Sequence, residues 1–186
     1  VVPGCECQLW GPDGKPVPKG EPGEVVWRGA DKCYGYLGDD EQTAAHFTKD
    51  HFYKSGDLGQ FDDEGYLRIT GRVKDMILRG GRNISPLTIE QQLIKHPSVV
   101  DVSVTSMPDP VLGERACCFV TLREGQQFGF QAMQEWLEKH AMSKVKWPER
   151  LEVIDAMPMT PTKKVIKGAL VRELERRRQD EQQSQQ

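Results

Sequence analysis

The sequence predicts an α+β fold in two parts. A small β-rich segment covers residues 1–73, and a compact C-terminal domain with a three-stranded sheet and flanking helices covers residues 74–178. Three observations carry this reading. Glycine and proline punctuate short apolar runs through the first seventy residues. Past Lys74 the apolar period changes, with strict alternation at Val100, Val102 and Val104 and helical spacing at Phe130, Met133, Leu137 and Ala141. At 186 residues, 37% hydrophobic and 28% charged, the chain has enough apolar content for a real core in one large domain or two small ones.

The elements follow in order. Cys7–Trp10, Glu24–Trp27 and Tyr66–Thr70 are strand-like runs, separated by turn signals at Pro12-Asp13-Gly14 and Asp62-Asp63-Glu64-Gly65. Asp40–Phe47 reads as a short helix. With so few strands, this part is too small to be comfortable alone. Ser85 followed by Pro86 is an N-cap with proline at the first helical position, so a helix runs from Ser85 to His96. Val100–Thr105 alternates as a half-buried strand, and Ala116–Leu122 is a nearly continuous apolar run, hence a more central one. Phe130–Met142 is an amphipathic helix, Leu151–Ile154 a third strand, and Lys167–Arg178 a closing helix with Leu170 and Leu174 inward. Residues 179–186 form a polar tail expected to be disordered.

Between the two parts lies the most informative stretch, Gly71–Glu90. Arg72-Val73-Lys74-Asp75 is a charged break between two apolar runs, and Gly80-Gly81 permits positive φ and close approach of a backbone or a ligand. These residues alone leave two readings open: an ordinary hairpin leading into a helix, or a moving binding surface.

Composition narrows the function classes. A net charge of −3 gives no electrostatic reason to expect nucleic acid as a partner. No run approaches the roughly 20 apolar residues of a membrane helix, so no transmembrane segment is expected. The start at Val1 rather than Met, with nothing like a signal peptide, reads as a fragment. Cys5, Cys7, Cys33, Cys117 and Cys118 show neither metal-ligand spacing nor a disulfide framework, so reduced thiols in a cytoplasmic protein are expected. His46, His51, His96 and His140 are scattered without ligand spacing, and no metal site is assigned. Arg172, Arg176, Arg177 and Arg178 form a basic run at a helix end, where cations complement the helix dipole.

Three motifs occur in a fixed order: Tyr53-Lys54-Ser55-Gly56-Asp57, then Gly71-Arg72 through Asp75, Gly80-Gly81, Ile84 and Glu90, then Pro158-Met159-Thr160-Pro161-Thr162-Lys163-Lys164. In this order and spread they resemble the C-terminal portion of the AMP-forming acyl-CoA synthetase, or adenylate-forming, superfamily. The first part then resembles the barrel-like end of the family's large N-terminal domain, with counterparts at Glu21-Pro22-Gly23-Glu24 and Gly35-Tyr36-Leu37. The resemblance implies a two-step reaction, in which acid and ATP give acyl-AMP and pyrophosphate and coenzyme A then displaces AMP. A small C-terminal domain rotates between the steps.

The resemblance carries over residue by residue. Asp57 matches the carboxylate that holds the ribose of ATP, a group suited to a vicinal diol because it accepts from two hydroxyls. On its residues alone a turn-capping role is the leading reading, and the resemblance reverses that. Arg72 matches the second ribose contact, with a fork that fits phosphate oxygens too. Lys74 matches the hinge residue, with Asp75 supporting it. Gly81, with Gly80, matches the bare backbone lining the coenzyme A tunnel. Lys164 matches the catalytic lysine that orients carboxylate and phosphate in the first step. Here the sequence departs from the family, since Lys163 stands where the family has Gly, which makes Lys163 the runner-up and the loop stiffer. Arg82 departs as well, from a frequent Glu, and receives no role.

The implied ligands are ATP with Mg2+, whose ligands lie outside this chain, coenzyme A, and a small-molecule carboxylic acid. The missing N-terminal domain of the same chain is the implied partner. Met107–Cys117 is similar both to medium-chain fatty-acid and alicyclic-acid CoA ligases and to aryl-acid adenylating enzymes, and the first is the leading reading. The alternatives are an aryl-acid AMP ligase loading a carrier protein, or a catalytically inactive nucleotide- or coenzyme-binding module. The fragment alone is expected to form no adenylate.

Overall fold

The apolar runs of the first part become strands β1 (Glu6–Trp10) and β2 (Gly23–Arg28), followed by helix α1 (Asp40–His46). Strands β3 (Tyr53–Phe61) and β4 (Leu67–Arg72) complete an antiparallel sheet in the order β1-β2-β3-β4. This computed structural model describes residues 3–30 and 32–183, and the chain divides into two units, Val1–Lys74 and Asp75–Gln186. β3 was not expected as a strand, because two glycines in Ser55-Gly56-Asp57-Leu58-Gly59 hide its alternation. α1 starts where the Asp39 carboxylate accepts from the Gln42 N–H at 2.9 Å, which satisfies one orphan donor of the first turn. Among the described residues of this unit the buried apolar side chains are Leu9, Val25, Val26 and Phe52, while Tyr34, Tyr36, Leu37 and Tyr66 are exposed. Its core is small, as the few apolar runs implied.

The second unit opens with a 3-10 turn at Val73–Asp75 that spans the division, then the hairpin β5 (Ile77–Arg79) and β6 (Arg82–Ile84). Helix α2 (Pro86–Leu93) follows, with Ser85 at its N-cap. Strands β7 (Val99–Asp109) and β8 (Gly113–Leu122) form a long antiparallel pair. Helix α3 (Phe130–Lys139) crosses over to β9 (Arg150–Val153), which runs parallel to β8, the geometry a helical crossover permits. Helix α4 (Lys167–Gln183) ends the described chain.

The sheet has five strands, in the order β6-β5-β8-β7 with β9 also on β8, rather than the three expected. The two extra strands are three residues each, too short to show a period of two. Both faces of this sheet are covered. Ile89 and Leu93 of α2 and Met133 and Leu137 of α3 pack with Val104, Cys118 and Val120 on one face. Leu170 and Leu174 of α4 pack with Cys117, Phe119 and Met157 on the other. The adjacent Cys117 and Cys118 therefore bury on opposite faces, as strand geometry requires.

Two expectations need correction. Val100–Thr105 was expected to be half-buried, yet Ser103 and Thr105 are buried because α4 closes the second face. The tail after Arg178 was expected to be disordered, yet α4 continues to Gln183. Arg150 holds Glu181, and Arg176 holds Asp180 at 3.0 Å, which supplies the last turns with partners. Residues 184–186 lie outside the described residues.

Candidate functional site

In the first unit a β-bulge sets the geometry. The pairing of β2 with β3 shifts register between Glu24 and Val26, and Gly56 takes φ +72°. The Ser55 hydroxyl donates to the Val25 carbonyl at 2.7 Å, and the Gly56 N–H donates to Glu24 Oε1 at 3.2 Å. Bulges re-aim side chains. Beyond this one, Asp57 sits directly opposite Arg72, and Arg72 Nε meets Asp57 Oδ1 at 2.9 Å. Both side chains are 39–49% exposed. The pair uses one of a carboxylate's roughly four lone-pair sites. Beside it lies an open cavity of about 420 Å³, lined by Lys54, Ser55, Gly56, Arg72 and Lys74 among others. Three of the sequence-predicted residues are therefore neighbours: Asp57 and Arg72 as an ion pair, Arg72 and Lys74 on one cavity wall.

In the second unit Gly80 and Gly81 form the two-residue turn between β5 and β6, with φ +54° and +77°. Positive φ at both central positions is the type I′ requirement, which glycine meets without steric cost. The backbone thus adopts a hairpin. Its position is fixed by Gly80 N–H donating to Leu112 O at 2.8 Å, and by Arg79, which pairs with Glu149 and donates to Val145 O at 2.6 Å. A Cβ on Gly81 would meet no atom within 4 Å, so the turn presents bare backbone.

The lysine pair occupies a second tight turn. Met159 bridges Val165, the Thr160 N–H donates to Lys164 O at 2.8 Å, and the Lys163 N–H donates to Thr160 O at 2.9 Å. The Lys164 N–H returns to Thr160 Oγ1 at 3.1 Å. Lys163 adopts φ +59°, the left-handed region that L-residues enter at a cost of roughly 1–2 kcal/mol. A glycine at this position would be at ease, which is the physical content of the Gly-to-Lys departure. Both lysines are exposed.

Lys167, a helix start by its place in the sequence, joins three elements. Its ammonium donates to Glu90 Oε1 at 3.1 Å and to Val104 O at 3.0 Å, and lies 3.7 Å from Asp75 Oδ2. A lysine at a helix N-terminus opposes the dipole, and that was the signal in the sequence that an acidic partner must exist. Two arginines of the basic run are paired: Arg177 with Glu152 and Glu173, Arg176 with Glu173 and Asp180. Burial pushes the Cys117 thiol up to about 12, and Cys118 also goes up, so neither is a nucleophile.

Residues 88–164 match the AMP-binding enzyme C-terminal domain. The chain carries the C-terminal portion of the adenylate-forming superfamily. Among similar proteins, the 2,3-dihydroxybenzoate-AMP ligase of Bacillus subtilis (strain 168) is 36% identical over 165 residues, covering 89% of this chain and 30% of that protein. The medium-chain fatty-acid–CoA ligase of Escherichia coli (strain K12) is 37% identical over 164 residues, covering 88% of this chain and 29% of that protein. The fold is similar to ATP-bound MatB from Rhodopseudomonas palustris, with TM-score 0.85 and 30% identity, covering 93% of this chain and 34% of that one. The chain thus spans about three-tenths of the curated relatives it matches. Within this chain, the Asp57–Arg72 pair belongs to the first unit, and the glycine turn and the lysine turn belong to the second.

Proposed function

We propose that this chain is the C-terminal part of an ATP-dependent acid–CoA ligase acting on a carboxylic acid, with a medium-chain fatty acid as the leading substrate. The carrying observation is the turn at residues 158–166. It closes on itself through backbone bonds and holds Lys164 exposed, without an acidic partner among the described residues. The Lys163 backbone supports Lys164 over Lys163 as the catalytic residue, since the left-handed position is the one a glycine would fill.

In the first step the acid's carboxylate attacks the α-phosphate of ATP, the bond to pyrophosphate breaks, and Lys164 stabilises the charge on the crowded centre. Asp57 and Arg72 hold the nucleotide's ribose. In the second step the coenzyme A thiol loses its proton and displaces AMP from the acyl carbonyl, reaching it past the Gly80–Gly81 turn. Lys74 and Asp75 are the hinge between the two orientations, so residues 1–73 act as the end of a large domain and 74–178 as the moving one. Mg2+ would accompany ATP. Among the described residues no group of three or more His, Cys, Asp or Glu is placed to hold a metal, so no residue here is assigned to it. No described helix is long and apolar enough to cross a membrane. A cytoplasmic location is part of the proposal.

The similarity to an aryl-acid AMP ligase at 36% identity favours a second reading, activation of an aryl acid for a carrier protein. ATP–pyrophosphate exchange by the full-length protein, with octanoate, cyclohexanecarboxylate, benzoate and dihydroxybenzoate, separates the two. Exchange with an aliphatic acid followed by acyl-CoA formation supports the first reading. Exchange with aryl acids alone and no free thioester supports the second. No exchange with any acid leaves a catalytically inactive binding module and overturns both.

A further inference from the structure

The hinge and the lysine turn are joined by one side chain. Lys167 lies at the first residue of α4, three residues beyond Lys164 and a quarter exposed. An ammonium has three donors, and this one faces three acceptors: Glu90 Oε1, the Val104 carbonyl and Asp75 Oδ2. Glu90 is itself pinned, because its Oε1 also accepts from the Val104 N–H at 2.7 Å. The network therefore ties the 3-10 turn at Asp75, helix α2, the centre of β7 and the start of α4 to one another. A lysine chain is costly to order and disfavoured at a helix N-terminus, so its fixed position comes from these two carboxylates.

Between Lys167 and Lys164 the chain has little freedom. The Ile166 N–H donates to Pro158 O at 2.8 Å, and the Met159–Val165 bridge closes the turn behind it. Leu170 and Leu174 hold α4 to the sheet by apolar contact, which fixes depth but not direction along the sheet. Farther along α4, Arg177 pairs with Glu152 and Glu181 with Arg150; at the end next to the lysine turn, Lys167 supplies the directional tie.

We propose that Lys167 is a positioning residue that makes the hinge exit at Asp75 and the Lys164 turn move as one body. Rotation at Lys74 then carries Lys164 with a constant offset. This rests on the proposed ligase reading, in which Lys164 serves the adenylation step and the Gly80–Gly81 turn serves the thioester step. The Gly80–Gly81 turn has its own anchors in Leu112 and Glu149, so loss of Lys167 acts on the first step and spares the second.

The test uses the full-length protein with Lys167→Met, Lys167→Arg, and Lys167→Met combined with Glu90→Gln, which removes the carboxylate left without its cation. Two rates are measured: ATP–pyrophosphate exchange, and thioester formation from supplied acyl-AMP. Lys167→Met is expected to lower the exchange rate by about tenfold to a hundredfold, the scale of a small misplacement of a catalytic group, with thioester formation within about twofold of wild type. Lys167→Arg is expected to restore most of the exchange. The double variant is expected to recover thermal stability without recovering exchange, since the tie is still absent. A parallel fall of both rates, tracking Tm and repaired with it in the double variant, would show a merely structural lysine and overturn the proposal. Amide hydrogen exchange in the 186-residue chain gives a readout independent of catalysis. Faster exchange at Lys164 and Ile166 in Lys167→Met, with the β8 amides unchanged, supports the tie. Unchanged protection at both amides sinks it. If the wild type exchanges pyrophosphate with no acid, the ligase reading fails, and the amide result still decides the tie.

Discussion

Arg72 and Asp57 face each other across β3 and β4, with Nε and Oδ1 2.9 Å apart and both side chains open to solvent. An exposed ion pair of this kind contributes about 0–1 kcal/mol to folding. Its stability value is therefore too small to be the reason for the bulge that aligns it. Asp57→Ala is expected to change the urea midpoint by the equivalent of less than about 1 kcal/mol. In the full-length protein it should raise the KM for ATP by about tenfold or more, the loss of a charged hydrogen-bonding group from a ligand. A large stability loss with unchanged KM would return Asp57 to a structural role.

Lys163 at φ +59° carries a local backbone penalty. Lys163→Gly should stabilise by up to about 1 kcal/mol, because relief of the left-handed conformation exceeds the extra chain entropy of glycine. Lys163→Val should destabilise, since a β-branched residue is poorly suited to positive φ. Chemical denaturation of the three proteins checks the order.

The glycine turn allows backbone demand to be separated from ligand clearance. Gly81 sits at φ +77° with open space at its missing Cβ. Asn tolerates the left-handed region, so Gly81→Asn should fold with a loss of about 1 kcal/mol. Gly81→Trp should add a bulky obstacle that lowers thioester formation by about tenfold or more while adenylation continues. Equal thioester rates in the two variants would mean that no ligand passes the turn.

Much of this was legible in the sequence, for reasons visible at particular residues. Leu170 and Leu174 are four apart on α4 and both are buried, and Met133 and Leu137 do the same on α3. Periodicity finds such elements because burial repeats with the helix. It missed β3, whose Gly56 and Gly59 break the alternation; the β5–β6 hairpin, with strands shorter than any period, was legible only from its Gly80-Gly81 turn. It misjudged the face of β7 at Ser103 and Thr105, because the partner that buries them starts more than sixty residues later, at Lys167. Asp57, Arg72 and Lys74 were legible as motif residues, but their proximity within one unit follows from a bulge that no spacing announces. A lysine at a helix start hinted at an acidic partner, but the network itself was not legible, because Asp75, Glu90 and Val104 come from three separate elements.

The carboxylate of Glu173 is held down at about 2 by its hydrogen bonds to Arg176 and then Arg177. A depressed folded-state value means that Glu173 stabilises the fold above its unfolded value of about 4.3, and that the contribution fades as pH falls toward about 2. The group is partly exposed, so solvent screening limits the effect to about 1 kcal/mol at most. Glu173→Gln should therefore lower stability at pH 7, and the gap to wild type should close between about pH 4.3 and pH 2. A gap that persists unchanged to pH 2 would assign the loss to packing instead of charge. The denaturant midpoint measured against pH for the two proteins decides it.

On the proposed reading one lysine, Lys164, serves the first half-reaction and not the second. Lys164→Ala and Lys163→Ala in the full-length protein should be compared by ATP–pyrophosphate exchange and by thioester formation from supplied acyl-AMP. Lys164→Ala is expected to lose exchange by about a hundredfold or more, the scale of a removed charge-stabilising group, and to keep thioester formation. Lys163→Ala should keep both. Exchange that survives in Lys164→Ala, or vanishes in Lys163→Ala instead, would contradict the account.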